Sequence, residues 1–146
     1  MTEIAFHFNM ADKLAYACRL LRKIHLSGAR VAVTAEPPVL AELDALLWVF
    51  SPVDFVPHCV AGALPATLSA TPVVLTATAS DFSRQGILVN LGQNVPLGFE
   101  GFERCIEVVS TGLDDVQAGR QRWKHYTGCG YSMKRHDLAH GAAGAA

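Results

Sequence analysis

The sequence predicts an α/β fold: one domain with a mostly parallel sheet flanked by helices. Short runs of strand formers alternate with amphipathic helical stretches from the first residues onward. A β-α-β-α opening implies right-handed crossovers, which make the strands parallel. The 146 residues suit a single domain, and with 51% hydrophobic and 17% charged residues the chain can bury a sizeable core.

Residues 4–8 (IAFHF) alternate apolar and polar side chains and form the first strand candidate. In 12–28, Leu14, Ala17, Cys18, Leu21 and Ile24 share one helical face, Lys13, Arg19 and Lys23 lie away from it, and Gly28 is placed to end the helix. RVAVTA (30–35) is the next strand. Pro37 and Pro38 suit a first helical turn, and Leu40, Leu43, Leu47 and Phe50 mark the buried face of a second helix. Residues 51–72, with four of the seven prolines, read as a long connection. Strand candidates follow at 73–77, 87–91 and 105–109, then a last helix near 113–127 with Asp114 and Asp115 at its dipole-favoured start. The domain is expected to close at residue 133, leaving 134–146 as a flexible tail. No internal repeat or dividing linker occurs.

A net charge of -1 excludes a globally basic, duplex-coating protein, but it hides a polarised chain. Residues 1–115 carry seven Lys/Arg against twelve Asp/Glu, whereas 116–146 carry five against one. No apolar run approaches the roughly 18–20 residues that span a bilayer, and the start, MTEIAFHF, has an acid where a signal peptide wants a cation. A soluble, cytoplasmic protein is therefore expected. Cys18, Cys59, Cys105 and Cys129 form no CxxC pair, so reduced and mostly buried thiols are expected.

The usual chemical motifs are missing. The turn after the first strand, FNMADKL (8–14), contains no glycine, so its backbone cannot approach a pyrophosphate as a GxGxxG turn does. There is no P-loop and no GxSxG elbow. His58 and Cys59 are adjacent, but on extended backbone their side chains point to opposite faces. His136 and His140 could share a helical face, yet in a terminal segment they read as a solvated pair and not as a metal site. No cofactor and no metal are expected.

Two features remain. In LDALLWVFSPVDFVPH (43–58), Trp48 and Phe55 bracket a proline-containing turn. They are either core residues or, with Pro57 and His58, an exposed partner-binding patch. In AGRQRWKHYTGCGYSMKR (118–135), five cations and no acids are interleaved with Trp123, Tyr126 and Tyr131. Arg120, Trp123, Lys124 and Thr127 follow helical spacing on one face, with Arg122 and Tyr126 in a neighbouring row. The bland reading is a solvated basic face. The functional one is a surface for stacked bases and phosphates, or for an acidic peptide ending in an apolar residue.

LDALLWVFSPVDFVPH, ILVNL, FERCIEVVS and RQRWKHYTGCGY, in that order over about residues 3–131, resemble the chi subunit of bacterial DNA polymerase III holoenzyme. The resemblance implies a Rossmann-like α/β domain that binds no nucleotide. It implies an accessory subunit without catalysis of its own, inside a complex that is a DNA-directed DNA polymerase. The implied partners are the psi subunit of the clamp loader and the acidic C-terminal tail of single-stranded DNA-binding protein, with DNA contact indirect and no membrane. The resemblance also raises a helicase as a competitor for the psi surface. The family's tail-binding residues fall on Arg120, Arg122, Trp123 and Lys124, with Thr127 on the same helical face, and its psi-side aromatics on Trp48 and Phe55. A further family lysine falls near Val116, where this chain has no cation.

Two other classes compete with the adaptor. One is a small α/β enzyme with an unrecognised active site, opposed by the glycine-free first turn. The other is a direct single-strand binder, opposed by the acidic balance of residues 1–115.

Overall fold

A computed structural model describes residues 1–49, 56–63, 67 and 71–139. The described elements are β1 (Glu3–Met10), α1 (Lys13–Leu26), β2 (Val31–Thr34), α2 (Pro37–Val49), β3 (His58–Val60), β4 (Val73–Thr76), β5 (Ile87–Asn90), β6 (Arg104–Ser110), α3 (Leu113–Gly128) and β7 (Met133–Asp137). Short 3-10 turns at Ala79–Gln85 and Phe99–Gly101 precede β5 and β6. The seven strands form one sheet in the order β3-β4-β2-β5-β6-β1-β7, and every pairing is parallel.

The sheet is covered on both faces, as parallel sheets require. Val31, Val33, Val73, Leu75, Val89, Ile106 and Val108 pack beneath α1 and α2. The alternate residues Ala32, Val74, Leu88, Cys105 and Phe6 pack against the 3-10 turns and α3. Strand periodicity therefore splits each apolar run between two cores. In α1 the expected stripe is buried at Ala17, Cys18, Leu21 and Ile24, with Leu14 partly so. The helix starts at Asp12, whose carboxylate accepts the Ala15 N–H, and ends before Gly28 at φ 85°. That φ is left-handed, which glycine adopts without strain. In α2, Leu40, Leu43 and Leu47 are buried as the pattern predicts, while Phe50 lies outside the described residues.

Two segments depart from expectation. The connection over 51–72 carries a strand, β3, which pairs with β4. Three residues are too short to show a period of two. The presumed tail carries another strand, β7, in parallel register with β1 from Ile4↔Met133 to Phe8↔Asp137. Its sequence, MKRHD, lacks apolar patterning because it is an exposed edge strand stabilised by backbone pairing and protected by charge. The fold thus continues past residue 133.

Candidate peptide-binding groove

α/β folds commonly hold ligands at one place along the sheet. Where the connections leaving adjacent strands pass to opposite faces, a crevice opens at the C-terminal strand ends. A cavity of about 330 Å³ lies there, beyond β2, β4 and β5, lined by Thr34, Glu36, Thr78, Ser80 and Asn90 among others. Its lining includes one carboxylate and no cation, which disfavours a phosphate. At the first β-α turn, Asp12 places its own carboxylate on the α1 N-terminus, where a phosphate would sit. Thus a resident acid reinforces the lack of a glycine turn. Among the described residues no group of three or more His, Cys, Asp or Glu could hold a metal ion.

A larger cavity, about 520 Å³, lies between α3 and the β7 edge of the sheet. Phe6 and Phe8 of β1 and Val109 of β6 supply apolar walls, and α3 contributes Val116, Gly119, Arg120 and Trp123. Arg135 enters from β7. Trp123 is half-buried, its ring set edge-on to Phe6 with centroids 5.1 Å apart. The Arg135 guanidinium carbon lies 5.2 Å from the Phe8 ring centroid, a cation–π placement. This joins apolar surface to two arginines, a combination suited to an anionic segment with a hydrophobic anchor.

The helix is aimed by what it buries. Asp115, Gly119, Arg122 and Tyr126 recur at helical spacing and face the sheet. Glu107 of β6, fully buried, accepts from Arg122 Nε at 2.8 Å, Tyr126 Oη at 2.6 Å and Asn90 Nδ2 at 2.9 Å. Burial pushes the Glu107 carboxyl up while those donors pull it back, and it raises the Tyr126 phenol as well. At the other end of α3, Asp115 pairs with Lys13 at 3.0 Å and accepts the Ser110 N–H and the Gln93 amide. Burial works against the Asp115 charge, but these partners outweigh it and hold its carboxyl below the usual range. Gly119 allows the close approach between them: a Cβ there would lie 2.9 Å from Val109 Cγ2.

The basic face read from the sequence therefore divides. Arg120 and Trp123 line the groove. Lys124 and Thr127 are exposed on α3 outside its lining, and the Thr127 hydroxyl donates to the Trp123 carbonyl. Arg122 is turned inward, 1% exposed, and holds the helix instead of facing solvent. The helical wheel placed Arg122 in the adjoining row, but only Glu107, an acid hidden in a strand, shows why that row is buried. Arg135 was missed because its segment was read as tail.

The second predicted surface lies at the end of α2. Trp48 is 62% exposed and Val49 73%, with Leu46 beside them. The Trp48 ring meets His58 edge-on, centroids 5.1 Å apart. His58 is buried, its Nδ1 2.7 Å from the Val56 carbonyl and its Nε2 3.0 Å from Asp44. Pro57 is half-buried, while Phe55 lies outside the described residues. His58 supports the tryptophan from beneath and is itself closed to solvent.

All four cysteines are free; Cys18 and Cys105 are buried, whereas Cys129 is exposed at the end of α3. His136 lies against His7 with the rings tilted and centroids 4.5 Å apart, and His140 lies outside the described residues. No described helix is long and apolar enough to cross a membrane.

Fold and groove together define an α/β domain whose cationic, aromatic cavity lies away from the crevice at the C-terminal strand ends. The family model for the DNA polymerase III chi subunit, HolC, matches residues 1–134, and the chain belongs to that family. Among curated proteins it is similar to the DNA polymerase III subunit chi of Pseudomonas aeruginosa, 29% identical over 143 residues, covering 94% of this chain and 98% of that one. It is similar also to the subunit chi of Haemophilus influenzae, 29% identical over 124 residues, covering 84% and 85%. Family membership makes it a DNA replication accessory subunit.

Proposed function

We propose that this protein is a noncatalytic adaptor that links the psi subunit of the clamp loader to the acidic C-terminal tail of single-stranded DNA-binding protein. The observation that carries the reading is the α3 groove, where Arg120 and Trp123 meet over apolar walls. Carboxylates of the tail pair with Arg120 and, further along the helix, with the exposed Lys124, while an apolar terminal side chain enters beside Trp123. Exposed ion pairs contribute about 0–1 kcal/mol each, so binding is weak and salt-sensitive. The psi subunit docks on the Trp48 and Val49 surface, with Pro57 and Phe55 in the adjoining segment. Large exposed apolar side chains in one patch support that assignment.

The test is a titration of a short acidic peptide ending in Pro-Phe, and separately of oligo-dT, each at low and high salt. The peptide binds and weakens with salt, and Arg120→Ala and Lys124→Glu each weaken it by up to about fivefold. Unchanged affinity in both variants, or preference for oligo-dT, contradicts the reading.

A further inference from the structure

We propose that Arg135 is the second arm of the groove's carboxylate site and reads the free C-terminal carboxylate of the docked chain. This rests on the peptide-docking reading above and names the group that completes it. The residue comes from β7, whose register sets it opposite Phe6 on β1. Residues of β7 alternate between faces, so Arg135 shares the α3 side with Phe6 and Phe8 while Lys134 and His136 do not.

Its surroundings suit an anion. The guanidinium rests over Phe8, which shields one side of the cation and leaves its N–H edge available. Among the described residues no carboxylate pairs with Arg135, whereas neighbouring cations are already committed. Lys134 pairs with Glu3 at 2.7 Å, Arg122 with Glu107 and Lys13 with Asp115. Arg120 reaches the same cavity from α3, so a carboxylate above the apolar walls meets arginines from a helix and from a strand.

The same cavity is lined by Val116, the position without the cation that the resemblance led one to expect. Here positive charge reaches the groove from β7 at Arg135, beside the apolar side chain of Val116. A planar guanidinium binds a carboxylate in two parallel hydrogen bonds, which suits a chain terminus better than a lysine does.

The experiment titrates wild type, Arg135→Gln, Arg135→Ala and Arg135→Ala/Val116→Lys with the acidic Pro-Phe peptide as free acid and as C-terminal amide. Folding of each variant is checked by thermal unfolding. In wild type, amidation weakens binding about tenfold. In Arg135→Ala and Arg135→Gln the free-acid advantage falls well below the wild-type value, the remainder being held by Arg120, and adding Val116→Lys restores part of the difference. If the Arg135 variants keep the full free-acid advantage, or weaken both peptides equally, Arg135 does not read the terminus. Wild-type protein that binds neither peptide overturns the docking reading and this assignment with it.

Discussion

Arg122 Nε donates to Glu107 Oε1 at 2.8 Å, and the two side chains are 1% and 0% exposed. A guanidinium in the middle of a cationic helix is thus neutralised from within the sheet. This pair, with Tyr126 and Asn90 on the same carboxylate, fixes the rotation of α3 and turns Arg120 and Trp123 toward the groove.

Removing one member leaves the other buried and uncompensated. Arg122→Ala should lower stability by about 3–5 kcal/mol in urea unfolding. Replacing both, as Arg122→Met with Glu107→Leu, should cost much less than the two single changes combined. If Arg122→Ala proves neutral, the pair does not anchor the helix.

Acidity should loosen the sheet at β1. His7 is buried against Tyr16 and His136, and burial, then the His136, Arg104 and Lys23 charges, lowers its pKa to about 4. A histidine depressed in the folded state binds protons more readily when unfolded. Its contribution is present above the unfolded value of about 6.5 and is lost as pH falls toward 4. Between pH 7.5 and 4 this group should remove about 3 kcal/mol of stability. Urea unfolding of wild type and His7→Gln across that range measures it, and parallel pH profiles would remove the assignment.

Trp48→Ala should leave the fold intact, because its ring lies largely in solvent, and should release the psi partner by at least about 2 kcal/mol. Leu47→Ala, one residue earlier but fully buried, should instead cost about 2–5 kcal/mol of stability. Unfolding of Trp48→Ala would make the residue part of the core.

Gly119→Ala gains about 1 kcal/mol of helix propensity, yet its Cβ meets Val109. Overpacking of that kind costs about 1–3 kcal/mol, so the variant should be net destabilised. Combining it with Val109→Ala should recover part of the loss. Additive effects in the double variant would separate the two residues.

The sequence was most legible where side-chain periodicity reflects burial. The Leu40, Leu43 and Leu47 stripe, the Ala17–Cys18–Leu21–Ile24 face and the apolar strands 31–34, 73–76 and 87–90 all occur as read. It failed where backbone pairing alone makes the element. β3 has three residues, and β7 is polar throughout its middle, so neither shows a pattern. The groove was half legible for the same reason. Arg120 and Trp123 sit on a helix whose spacing announces them, whereas Arg135 reaches the cavity only through the register of β7 on β1. Arg122 was misplaced because its partner, Glu107, lies fifteen residues away in a strand that looks apolar.

The most direct test is a two-dimensional amide and indole NMR titration of the full chain with the acidic Pro-Phe peptide. The largest shifts should fall on Val116, Gly119, Arg120, the Trp123 indole and Arg135. Shifts centred instead on Trp48 and Val49, or on Thr34, Thr78 and Asn90 in the crevice, would contradict docking in the α3 groove.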